Sequence, residues 1–181
     1  MTPIRRLGCS RRQALFAPTA LLAMPPLWAP LLAPVWAPVW ATDAPRPAVL
    51  LTISGAGVNG EAKFDMAMLA ALPQHSFTTK TPWYPTARKF SGPLLRDVLA
   101  AAGAQGKVVE AIAINDYKVD IPVEDALRHN LIVARLLDDK PMLLRDKGPL
   151  FIIFPFDSNS QLRNSVYYSR SAWQLKALRL R

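Results

Sequence analysis

Three segments predict an α+β fold with a mixed sheet and short helices. "VLLTISG" (49–55) is an apolar run bounded by the glycine turn "GAGVNG" (55–60), which is the pattern of a strand entering a turn. "SGPLLRDVLAAAGA" (91–104) sets Leu94, Leu95, Val98 and Leu99 on one helical stripe. "GPLFIIFP" (148–155) is apolar throughout and of strand length. These strand-like and helix-like segments interleave without the regular alternation of a doubly wound fold.

The remaining elements follow in order. "FDMAMLAAL" reads as a short helix with Phe64, Met68, Leu69 and Leu72 on one side, and "SFTTKT" as a threonine-rich strand that Pro82 ends. In the long helix, Ser91 is the expected cap, Pro93 suits the first turn and Gly103 the stop. "VVEAIAI" and "KVDIP" read as strands around the turn "NDY". "VEDALRHNLIVARLL" begins as a helix and has strand character at its end, and "DDKPML" turns the chain. "GPLFIIFP" is the expected central strand, and "FDSNSQLRN" a polar loop. "YYSRSAWQL" (167–175) leads into the last strand, "WQLKALRL". Read as extended chain, it sets Tyr168 and Arg170 on one face and Tyr167, Ser169, Ser171 and Trp173 on the other, with a change of phase at "ALRL".

The chain has 181 residues and a formal net charge of +9. Four arginines (Arg5, Arg6, Arg11, Arg12) precede an apolar stretch ending in Val39-Trp40-Ala41, the order of an export signal. Pro18, Pro25, Pro26, Pro30, Pro34 and Pro38 oppose a spanning helix, since each interior proline costs a helix about 3 kcal/mol. The expected organisation is a leader over 1–41 cleaved after Ala41, a linker over 42–48 and one domain over 49–181, placed in the periplasm. "SRRQAL" (10–15) resembles a twin-arginine signal, although a general-secretion leader also carries such pairs.

With the leader removed, no lysine- or arginine-rich run remains, so the charge speaks for solubility and not for nucleic acid. The single cysteine, Cys9, lies in the leader. The domain therefore has no disulfide, cysteine nucleophile or thiolate metal ligand. His75 and His129 are the only histidines and lack acidic neighbours at ligand spacing. Ser169 and Ser171 lack a nucleophile elbow. "GAGVNG" has dinucleotide-fingerprint spacing, but no long helical run follows it.

"FDMAMLAALPQHSFTTKT", "FSGPLLRDVLAAAGA", "AINDYKVDIPVEDAL" and "DKPMLLRDKGPLFIIFP", in that order, resemble the sulfite-oxidase-like molybdopterin-binding domain family, in particular short exported stand-alone members. The resemblance implies a mixed, partly barrel-like sheet, a pterin cavity and oxygen-atom transfer at molybdenum. It sets Asn115, Asp116 and Tyr117 beside that cavity, Trp83 where the metal ligand would stand, and Arg163 at a basic phosphate contact. Two departures stand against the usual chemistry. The family's catalytic members bind the metal through a cysteine at the end of the strand matching "SFTTKTPW", and residues 76–83 contain none. Phe151 replaces an arginine that holds the pterin phosphate.

Tyr168 and Arg170 complete the candidate set. Tyrosine buries area while keeping a polar tip, and arginine offers a planar fork for a carboxylate or phosphate. Arg170 either pairs internally, with Asp157 or Asp116, or contacts a ligand. Two functions are expected. One is an exported oxidoreductase-like domain that binds molybdopterin without a thiolate-ligated metal and does not oxidise sulfite. The other is a cofactor-free module for a small anionic ligand, or for a membrane-associated redox or signalling partner.

Overall fold

The computed structural model describes residues 48–181. The leader and all but the last residue of the linker lie outside the described residues. The chain opens on a hairpin of β1 (Leu51–Gly55) and β2 (Glu61–Phe64). The turn "GAGVNG" sets Gly57 at φ 82°, where a Cβ would stand 2.7 Å from the backbone of Gln105 and Gly103. The glycines thus serve a turn pressed onto a neighbouring loop, and a strand follows them, not a nucleotide-binding helix.

Helix α1 (Met66–Ala71) is capped by Asp65, which accepts the Met68 backbone N–H at 2.7 Å. Only Leu69 is buried in it, and Met68 is 46% exposed, so the expected four-residue apolar side does not form on this helix. Phe64 belongs to β2 instead. Strands β3 (Gln74–Thr81) and β4 (Tyr84–Pro93) form a long hairpin, with the turn at Pro82-Trp83. The ladder extends through Ser91 and Pro93, which face Ser76 and Gln74. Ser91 is therefore a strand residue, and helix α2 (Leu95–Ala101) starts later without a side-chain cap. Its expected stripe holds: Leu94, Leu95, Val98 and Leu99 are all buried.

Strands β5 (Val108–Ala113) and β6 (Lys118–Pro122) pair around "NDY", and α3 (Val123–Arg128) follows directly. Strands β7 (Ile132–Ala134), β8 (Leu136–Leu137) and β9 (Lys140–Pro141) come next, with Asp138 and Asp139 in the last turn. β10 (Phe151–Ile153), α4 (Ser165–Arg170) and β11 (Leu175–Leu180) complete the domain.

Among the described residues the strands lie in three sheets, ordered β2-β1-β11-β5-β6, β10-β7 and β3-β4-β8-β9. The first is mixed, because β1 runs parallel to β11 while its other pairs are antiparallel. No closed barrel forms among the described residues, a correction to the barrel-like expectation. β10 is not a central strand of a large sheet: it pairs with β7 and bridges Trp173 through Phe151. Its continuous apolar character comes from burial on both faces, for Phe151, Ile152 and Ile153 are fully buried. No helix among the described residues is long and apolar enough to cross a membrane.

The segment expected to be extended is helical. Asn164 Oδ1 accepts the backbone N–H groups of Val166 at 2.9 Å and Tyr167 at 3.2 Å, an N-cap that starts α4. The face assignment for Tyr167 to Ser171 falls with it. The phase change at the C-terminus is present as a register shift between Leu175 and Ala177 opposite β5.

Candidate functional site

The turn of the β3–β4 hairpin and the two ends of the α4–β11 segment converge on a set of rings. Trp83 packs edge-on against Phe151 at 5.5 Å, Trp173 at 5.6 Å and Tyr168 at 6.2 Å between centroids. Phe156 lies 6.4 Å from Trp83 and 4.8 Å from Tyr168. Tyr117 lies parallel to Trp173, with centroids 6.5 Å apart and planes 4° from parallel. Phe151 and Phe156 are buried, whereas Trp83, Tyr168 and Trp173 are half-buried and Tyr117 is 43% exposed. The cluster thus closes the core with its phenylalanines and leaves four larger rings partly exposed.

Local backbone fixes this arrangement. Asp116 sits at φ 62° in a tight turn, where its N–H reaches Ala113 O and Tyr117 O accepts the Ala113 N–H. Asn115 Oδ1 accepts the Tyr117 N–H at 3.2 Å, and the Tyr117 hydroxyl donates to Ser169 O at 3.0 Å. Gln174, at φ 51°, joins two neighbouring loops: its N–H donates to Lys147 O and its carbonyl accepts the Ile114 N–H. The half-buried Lys147 then places its ammonium 4.9 Å from the Trp173 ring centre.

Electrostatics at the rim are those of paired charges. The Lys176 ammonium, 2.6 Å from the Asp116 carboxylate, holds that carboxyl below the usual range through their hydrogen bond. Beyond Trp83, Tyr84 donates its hydroxyl to Asp146 O at 3.1 Å, and burial pushes its phenol up. Lys147 forms no ion pair among the described residues.

Of the expected residues, Trp83, Tyr117 and Tyr168 meet in the ring cluster, with Asn115 and Asp116 in the turn that carries Tyr117. Arg163 and Arg170 do not join it. Arg163 donates from Nε to Phe156 O at 3.0 Å and from Nη2 to Asp157 at 2.9 Å. Asp157 in turn accepts the Lys80 N–H at 2.7 Å, so Arg163 clamps its loop onto β3. Arg170 pairs with Asp125 at 2.6 Å and lies over the Tyr167 ring, which corrects the expected partners Asp157 and Asp116. The sequence reading missed Lys147 as a member of the site. Nothing in "RDKGPL" signals that a turn will set this lysine above a tryptophan 26 positions later.

The donor set can be compared with what a molybdenum pterin needs. Next to Trp83, the Thr81 hydroxyl is buried and has no hydrogen-bond partner. A hydroxyl and an indole do not replace a soft thiolate, so these residues do not fit a protein-ligated molybdenum. Among the described residues no group of three or more histidine, cysteine or acidic residues is arranged to hold a metal ion. Half-exposed rings with an ammonium above them do suit a planar anionic heterocycle.

No family model matches the chain, and no curated protein matches it. Among solved structures it is similar to the sulfane dehydrogenase SoxCD from Paracoccus pantotrophus, with a TM-score of 0.53 and 15% identity over 71% of this chain. The match spans 37% of the SoxCD chain, little more than a third of its length. At this identity the likeness is one of fold: an α+β domain of mixed sheets and short helices, as the resemblance to the sulfite-oxidase-like family implied.

Proposed function

We propose that this protein is an exported, molybdopterin-binding-like domain that holds a planar anionic ligand of the pterin class and does not oxidise sulfite. The observation that carries this reading is the ring face of Trp83, Tyr117, Tyr168 and Trp173 with Lys147 4.9 Å above Trp173, in a domain that has no thiol. The rings offer flat apolar contact, Lys147 an unpaired ammonium for a phosphate, and Asn115 a carboxamide at the rim. When bound, a molybdenum pterin would supply oxygen-atom transfer; this chain contributes binding and orientation, without a ligand to the metal.

A second reading is a cofactor-free module on the same fold that carries a small anion or docks on a membrane-associated redox or signalling partner. Phe151 favours it, because this ring, buried against Trp83, stands by the resemblance where the sulfite-oxidase-like family often carries an arginine for the pterin phosphate. In both readings the protein works in the periplasm after loss of the leader at Ala41.

The test is to isolate the protein from its own periplasm, weigh it intact, measure molybdenum by elemental analysis and assay released pterin by fluorescence. Our reading expects a mass beginning at Thr42 and a pterin near one per chain. Protein free of both pterin and molybdenum would leave the second reading. A full-length mass in the membrane fraction would overturn export with cleavage.

A further inference from the structure

A cleft apart from the ring face brings together the only two histidines of the chain, 54 positions apart in sequence. It has a volume of about 410 Å³ and lies between the start of β3, the end of α3 and the loop after β10. His75, Arg128, His129, Asn130, Ser158 and Asn159 line it, and none of its lining residues carries a carboxylate. Two neighbouring tyrosines of α4 divide their contacts between the two places. Tyr168 touches Trp83 and Phe156 of the ring cluster, while Tyr167 stands edge-on to His129 at 5.6 Å and to Phe154 at 5.2 Å.

We propose that this cleft binds a small phosphate-bearing anion. The hydrogen-bonding groups left over in the cleft are donors. Asn130 Oδ1 accepts from Arg96 at 3.2 Å, and Asn159 Oδ1 accepts the Gln161 N–H at 2.9 Å. Both carboxamides therefore have their oxygens engaged and their NH2 groups left as donors. Neither imidazole makes a side-chain hydrogen bond among the described residues. Arg128 touches Glu124 through one terminal nitrogen, at 69% side-chain exposure, and keeps further N–H groups for another acceptor. The surplus is thus of donors, two imidazoles, a guanidinium and two amides. A hard cation such as magnesium or calcium would need the reverse, free oxygens and carboxylates, and two imidazoles with no third ligand beside them among the described residues fall short of a transition-metal site. A tetrahedral oxyanion accepts from many donors at once, and the volume leaves room for a small organic group beside the phosphate.

Because the chain has only two histidines and both line this cleft, no histidine signal arises elsewhere in the protein. Inorganic phosphate and glycerol phosphate are titrated separately into the purified protein in a phosphate-free buffer, with sodium chloride at matched ionic strength as control. Both histidine signals are expected to move together along one saturating curve, and Arg128→Gln and the exposed-site variant His75→Gln each to weaken binding at least five-fold. Tighter binding of glycerol phosphate would identify the ligand as a phosphate ester, and equal binding as free phosphate. Signals that move no further than in chloride, or affinity unchanged in both folded variants, would overturn the proposal.

Discussion

Arg170 of α4 donates from Nη1 to Asp125 Oδ2 of α3 at 2.6 Å, and the two side chains are only 24% and 12% exposed. This pair ties the helix that carries Tyr167 and Tyr168 to the helix preceding β7. Breaking a buried pair leaves one charge uncompensated and costs 3–5 kcal/mol, while an exposed pair is worth about 1 kcal/mol at most. At this exposure the expected loss for Arg170→Ala is about 2–4 kcal/mol. A domain of this size loses roughly 3–5 °C per kcal/mol, so its melting temperature should fall by roughly 6–20 °C. Arg170→Lys should restore part of it, since lysine keeps the charge but not the planar fork over Tyr167. An unchanged melting curve for Arg170→Ala would show that the pair contributes nothing.

Gly92 marks the tightest approach of β4 to β7. A Cβ there would stand 2.1 Å from Val133 O and 2.8 Å from Ala134 Cα, both backbone atoms that cannot rotate away. Gly92→Ala is expected to destabilise by about 3 kcal/mol, the upper end of overpacking costs, because a strand must move. Urea denaturation read by circular dichroism checks this, and a midpoint equal to that of the parent protein would contradict it.

Asp138, at φ 48° in the β8–β9 turn, accepts the Lys89 backbone N–H at 3.0 Å and the Arg88 Nε–H. These bonds, with the Lys89 N–H foremost, hold its carboxyl below the usual carboxylate range. The folded pKa is thus the lower one. The stabilisation is present above the unfolded value near 3.9 and is lost as pH falls through the folded value. With a side chain 45% exposed, solvent screening keeps it to about 1 kcal/mol or less. Asp138→Asn preserves a residue that tolerates positive φ. The stability gap between parent and variant should therefore be open at pH 6 and shrink towards pH 2. A gap that does not change with pH would assign the effect to the backbone.

Much of this was legible one element at a time. The α2 stripe needed only helical spacing, and the shift of phase near "ALRL" announced the irregular register of β11. The errors came where two local signals competed. "NSVYYSR" holds an asparagine cap as well as strand-forming tyrosines, and the cap won because it satisfies two N–H groups at once. Ser91 and Pro93 read as a helix start, but their ladder partners on β3 extended the strand through them. In the ring cluster, Trp83 and Tyr117 were named through the resemblance and Tyr168 by residue type, whereas Lys147 and the partner of Arg170 depend on which loops the tertiary fold sets side by side.

Thr81 gives a direct probe of the ring face. Its buried hydroxyl has no partner, and an unsatisfied buried polar group costs about 1–3 kcal/mol. Thr81→Val keeps the β-branched shape and removes the hydroxyl, so the ligand-free protein should gain about 1 kcal/mol and melt a few degrees higher. A loss of stability would show that the hydroxyl is satisfied in solution.

The residues at the end of β3 argue against the reaction that the resemblance implies. Sulfite oxidation in the family this sequence resembles relies on a molybdenum held by a cysteine at the end of the strand matching β3. Here that strand ends Lys80-Thr81-Pro82-Trp83, and Trp83 lies against Phe151, Phe156, Tyr168 and Trp173. The nearest side-chain donors are an alcohol and an indole, neither of which supplies the soft charged ligand the metal uses. Protein purified from its native cells should therefore reduce ferricyanide with sulfite no faster than buffer does. Thr81→Cys, which puts a thiol at the end of β3, should by itself restore no activity while the surrounding rings stay packed. Substantial sulfite turnover by the parent protein would show that another group serves as the metal's ligand, and would overturn the argument from the missing thiol.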